Sequence, residues 1–167
     1  MLGVVFPTFA PDVRERWVRN APFLITGTAG MVAGGFVAAV AGAVTWGHGA
    51  WTAAFVVLVV GVAQVVLGAA QAALAPRLLD RSRVGSQFAL FNAGCAGVIA
   101  GTQIDSPVVV AIGSVLFLAA LAISESAVRL HSDLIGTPKT LLTVYRVLLA
   151  ILLVSVFIGI ILSIVGY

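Results

Sequence analysis

Residues 52–75 read TAAFVVLVVGVAQVVLGAAQAALA, with no charged residue and no proline in the whole run. As a helix rising 1.5 Å per residue it would be about 36 Å long, more than the roughly 30 Å hydrocarbon core of a bilayer. Helix is the form required there, because an open sheet edge would leave backbone N–H and C=O groups unpaired in lipid. Residues 23–45, 86–104, 108–130 and 141–165 are similar runs, and the five together carry only Glu125, Arg146 and the terminal Arg129 as charges. They are too long and too continuous for the alternating strands of a membrane barrel. The fold class expected is therefore an all-α integral membrane protein with five transmembrane helices.

Composition agrees. The chain is 61% hydrophobic and 9% charged, against about 25% charged residues in soluble domains. Its net charge of +3 does not point to nucleic acid, because of where the charges lie. With five spans, Arg14, Arg16, Arg19, Arg77, Arg81, Arg83, Arg129, Lys139 and Arg146 all fall on one side. That is the positive-inside pattern, which predicts a cytoplasmic N-terminus and an outer C-terminus, with anionic lipid headgroups as the partners of the basic face. The eight-to-one ratio of arginine to lysine suggests a G+C-rich genome and hence a prokaryotic plasma membrane.

Two domains of unequal kind are expected: an interfacial segment, residues 1–22, and a transmembrane domain, residues 23–167. Residues 10–20, APDVRERWVRN, read as a short amphipathic helix lying in the interface with Trp17 as anchor. Asn20, Ala21 and Pro22 would turn the chain into the first span. The outer turn TWGHGAW is a tight hairpin; Ser82 or Ser86 would cap the third helix, and Asp105 or Ser106 the fourth, with Pro107 at its first position. Thr137 or Thr140 would cap the fifth.

GTAGMVAG (27–34) is echoed by GCAGVIAG (94–101). Gly61 with Arg77-Leu78 matches Gly113 with Arg129-Leu130 at a constant offset of 52. A parallel repeat of two hairpins would explain this, with the first hairpin longer at its outer turn; chance alignment of Ala/Gly/Val-rich helices is the alternative. Gly27, Gly30 and Gly34 share one helix face, as do Gly94, Gly97 and Gly101. Such faces let backbones approach and pack, while a lipid or quinone lying on them is the functional alternative.

Polar residues within the spans are few. Gln64 and Gln71 share a stripe of the second span with Gly61 and Gly68, and with Asn92 they are candidates for a polar path. Gln87 and Gln103 would lie near the surfaces, against headgroups. Glu125, close to the cytoplasmic headgroups, would pair with Arg129 or Arg146, or serve as a coupling carboxylate. His48 and His131 are a membrane thickness apart, which excludes haem ligation by both within one chain. A single cysteine, Cys95, excludes an internal disulfide and a cysteine-based metal site. No hydrolase, zinc-protease or phosphate-loop motif is present, so no metal or cofactor is predicted.

Three functions fit: a non-catalytic subunit or accessory component of a larger membrane complex, a small oligomeric transporter or channel, and a membrane enzyme or cofactor- or lipid-binding subunit. The short loops and scarcity of reactive groups favour the first, with other membrane subunits or further copies of the chain as partners.

Overall fold

The structure is a computed structural model that describes residues 13–74, 79–129 and 139–165. Every regular element among them is a helix: α1 (Val13–Ala43), α2 (Gly49–Leu74), α3 (Arg81–Gln103), α4 (Pro107–Arg129) and α5 (Lys139–Val165). The first four are long and apolar enough to cross a membrane. In α5 the described apolar stretch is Leu142–Ile158.

The expected surface helix and turn are replaced by one continuous helix. α1 runs through Pro22, which removes only the bond its N–H would give to the Val18 carbonyl. Tertiary contact carries the helix across that gap. Asn20 and Phe23, on either side of the proline, are buried, and Phe23 meets Phe88 and Phe91 of α3 edge-on at centroid distances of 5.4 and 6.4 Å. Arg19 donates to the Leu79 carbonyl at 2.5 Å and to Glu15 at 2.9 Å. Residues 1–12 lie outside the described residues.

α2 holds the largest departure from expectation. Val56–Ala63 is π-helical between two α-helical segments. Nothing in the valine-rich sequence signals this.

The short connections end differently from expectation too. α3 begins after Asp80, in an extended conformation (φ −60°, ψ 139°) and without a side-chain cap bond, so Ser82 and Ser86 lie inside the helix. At its other end Asp105 is left-handed, φ 50°. Ser106 N–H donates to the Gly101 carbonyl at 2.8 Å and Asp105 N–H to that of Thr102 at 3.4 Å. This is the Schellman closure, in which a left-handed residue satisfies the last carbonyls of a helix. Asp105 thus terminates α3 instead of capping α4, while Pro107 does open α4.

α1 pairs with α2, and α3 with α4. The core lies between α2, α3, α4 and α5, where Leu67, Phe91, Phe117, Leu121, Tyr145 and Leu152 are buried together. The outward faces are apolar, with Phe36, Val40, Ile112, Val115, Ile151 and Phe157 exposed.

Candidate functional site

Helix faces built from glycine bring the backbones of each hairpin into contact. A Cβ on Gly27 would lie 2.9 Å from the Gly61 carbonyl oxygen and 3.0 Å from the Val65 nitrogen. On Gly94 it would lie 2.9 Å from the Gly113 oxygen and 2.6 Å from the Phe117 nitrogen. Gly30 and Gly97 face Gly61 and Gly113 in the same way. Toward the turn of each hairpin, Gly34 meets the Val57 nitrogen at 2.8 Å and Gly101 that of Val110 at 2.6 Å. Neither glycine face is free to hold a ligand, because the neighbouring helix already occupies it.

The polar side chains of the interior gather elsewhere. Gln64 and Gln71, two turns apart on α2, are buried at 0% and 1% exposure. Gln87 of α3 is equally buried and donates to Ser124 Oγ of α4 at 2.5 Å; Ser124 in turn donates to the Ala120 carbonyl at 2.8 Å. The buried hydroxyl of Tyr145 on α5 approaches Gln71 and Ser124, without reaching hydrogen-bond geometry with either. Gln71, Gln87, Ser124 and Tyr145, one from each of four helices, thus form a cluster one to two turns inside the basic helix ends, with Gln64 two turns farther along α2. Glu125 lies at its edge, with Arg146 Nε 3.8 Å from its Oε1. Both polar atoms of Gln64 and of Gln71, and Gln87 Oε1, make no hydrogen bond to protein.

These groups are neutral donors and acceptors. An unpaired buried amide costs about 1–3 kcal/mol, a cost that a bound polar group would relieve. It holds no nucleophile with an adjacent base, and no grouping of three His, Cys, Asp or Glu side chains suited to a metal occurs among the described residues.

The expected sites are partly brought together. Gln64 and Gln71 face protein, but Asn92 is only half-buried and turns its amide back to the Phe88 carbonyl at 2.9 Å, so it is not shown with them. Glu125 meets Arg146; the Arg129 side chain and His131 lie outside the described residues. Gln87 and Gln103 correct their expected contact with headgroups. α3 starts five residues before the apolar run, which carries Gln87 two turns inward to Ser124. Gln103 accepts from Trp46 Nε1 at 2.9 Å and donates to Thr52 at 2.7 Å, tying the turn ends of the two hairpins together. Beside that tie, His48 Nε2 is 3.6 Å from Asp105 Oδ1 on the surface. Tyr145 and Ser124 were not singled out in the sequence. Nothing in the spacing of a lone tyrosine and a serine in ISESAV links them to a glutamine on another helix. No family model, curated protein or solved structure matches the chain.

Proposed function

We propose that the protein is a non-catalytic subunit or accessory component of a larger membrane assembly, with five spans, a cytoplasmic N-terminus and a place in a prokaryotic plasma membrane. The observation that carries the reading is an open small-residue groove near the outer end of the first hairpin. Ala38, Ala41 and Gly42 of α1 and Ala50, Ala53 and Ala54 of α2 line most of it, and its volume is about 470 Å³. A Cβ on Gly35 or Gly42 would meet nothing within 4 Å. Lower on the same helix, Gly27, Gly30 and Gly34 meet α2 at backbone distance. Small faces of this kind in membrane helices serve close helix contact, and this one is unoccupied by any described helix of the chain. Co-purification from native membranes in mild detergent, with mass spectrometry of what is bound, tests the reading. A stable partner chain or second copy lost in Ala38→Leu is expected; recovery as a lone monomer would overturn it.

The buried amides favour a second reading, a small oligomeric carrier or channel for a polar solute. Solute flux in proteoliposomes that Gln64→Leu and Gln71→Leu abolish would support it over the first.

The repeat of two hairpins gains support from contact register. Gly27 with Gly61 and Val65 corresponds to Gly94 with Gly113 and Phe117 at the offsets of 67 and 52 read from the sequence. At the same offset of 67, Arg14 and Arg16 fall on Arg81 and Arg83, and buried Asn20 on buried Gln87. From Gly27 to Gly34 the contacted nitrogen moves from Val65 to Val57, eight residues; from Gly94 to Gly101 it moves from Phe117 to Val110, seven. The π segment of α2 lies across that interval, so we read it as a one-residue insertion into the first hairpin.

A further inference from the structure

The face between α4 and α5 carries a trough of about 880 Å³. Its charged end is the Glu125–Arg146 pair, and Leu118, Leu121, Ala122, Leu149, Ala150, Leu153 and Phe157 make the rest apolar. Ala122 and Ala150 are both exposed, and their small side chains leave the floor open. Arg146 to Phe157 is eleven residues on one helix, about 16 Å at 1.5 Å per residue. Half of a roughly 30 Å hydrocarbon core is about 15 Å, so the trough is one leaflet deep. Its charged end lies at the end of α4 and the start of α5, on the side where the arginines of α1 and α3 also lie.

We propose that this trough seats one amine-bearing phospholipid, phosphatidylethanolamine in chemical type, from the leaflet on the basic side. An acyl chain lies along Leu149, Leu153 and Phe157. The half-exposed Arg146 guanidinium takes the phosphate, as a planar multi-donor cation suits phosphate oxygens. Glu125 takes the ammonium, whose N–H groups donate to its carboxylate. The opposite charges of the protein pair thus face the opposite charges of the headgroup. An anionic glycerol headgroup offers Glu125 no cation, and a choline headgroup offers a cation with no N–H to donate.

Native mass spectrometry of the full chain in detergent, titrated with palmitoyl-oleoyl phosphatidylethanolamine, phosphatidylcholine and phosphatidylglycerol, tests this. A single ethanolamine-lipid adduct is expected, held about tenfold more tightly than either other lipid. Glu125→Gln should reduce ethanolamine-lipid affinity to that of choline lipid, and Arg146→Gln should weaken binding of all three. Ala150→Phe should block the adduct while thermal unfolding stays unchanged, separating loss of the trough from loss of the fold. Equal binding of the three lipids, preference for the glycerol lipid, or an adduct indifferent to Ala150→Phe would overturn the proposal.

Discussion

At Asp105 the backbone adopts φ 50°, a conformation that costs a non-glycine residue roughly 1–2 kcal/mol and that Asp and Asn tolerate better than most. Among the described residues its exposed carboxylate reaches only His48, at 3.6 Å, an exposed pair of a kind that contributes little. Asp105→Gly should therefore raise the thermal midpoint in detergent, by about 0.5–1 kcal/mol in stability. Asp105→Val should lower it, since a β-branched residue fits the left-handed region worst. A lower midpoint for the glycine variant would mean that the aspartate side chain matters more than the backbone. The buried glutamines divide on the same reasoning. Gln64 and Gln71 have both polar atoms unpartnered, so Gln64→Leu removes an unsatisfied group and should leave stability unchanged or raise it by about 1 kcal/mol. Gln87→Leu breaks the bond to Ser124 and should cost about 0.6 kcal/mol, the typical worth of an interhelical hydrogen bond in a membrane. A gain from Gln64→Leu would mark an amide kept for a reason other than stability, because groups at working sites are commonly retained at stability's expense.

Between helices the glycines grade the same argument by distance. A Cβ on Gly94 would stand 2.6 Å from the Phe117 nitrogen, and one on Gly113 2.6 Å from the Val98 nitrogen. Backbone cannot rotate aside as a side chain can, so even Gly94→Ala should force α3 and α4 apart at a cost of about 1–3 kcal/mol. Gly30→Ala, with its nearest contact at 3.1 Å to a Val60 methyl, should cost less, and Gly35→Ala nothing measurable. Thermal unfolding of the three variants should follow that order. The π segment gives a test of a different kind. If α2 carries one inserted residue, deleting Val59 should let Val56–Ala63 close to α-helix with both flanks in place, whereas deleting Ile112 from the matching α-helical stretch of α4 should rotate half that helix out of register. Retained folding in the first and loss of it in the second are expected, read by helical content and the thermal midpoint. The all-helical class and the long apolar helices were legible because apolar run length is a local property of the chain. The left-handed Asp105 was not legible because Asp-Ser before Pro107 reads equally well as the cap of α4. The π segment and the passage of α1 through Pro22 were not legible, since each depends on what a second helix offers. The polar cluster was half legible for the same reason. Gln64 and Gln71 announce themselves by being amides in an apolar run, but Tyr145, Ser124 and Gln87 join Gln71 only through tertiary contact.

For the whole molecule, the proposed repeat makes the two hairpins differ chiefly at their turn ends. At the offset of 67, the end of α3 at Gln103 corresponds to Phe36, yet α1 runs on to Ala43; seven further residues make about 10 Å of additional helix. α2 likewise begins six residues before the position that matches Pro107 at the offset of 52. The small-residue groove and the Trp46–Gln103–Thr52 tie both lie toward the turn of the first hairpin, while the described arginines lie toward the other ends of the helices. That polarity makes orientation testable with single cysteines in a Cys95→Ser background. Gly47 is the outer position to use, because it is exposed and a Cβ there meets nothing within 4 Å. Gly49 is unsuitable, since a Cβ there would lie 2.6 Å from that of Ala41. Ser82, exposed near the start of α3, serves for the inner side. In intact cells an impermeant thiol reagent should label Gly47→Cys and Tyr167→Cys and spare Ser82→Cys until the membrane is opened. Labelling of Ser82→Cys alone would reverse the orientation and place the arginine face outside, against the retention of Lys and Arg on the cytoplasmic side. Labelling of Gly47→Cys without Tyr167→Cys would keep the orientation but return the C-terminus to the inner side, so that α5 would not cross. The trough between α4 and α5 would then need a different relation to the bilayer, because its leaflet-length apolar floor relies on α5 running outward from Arg146.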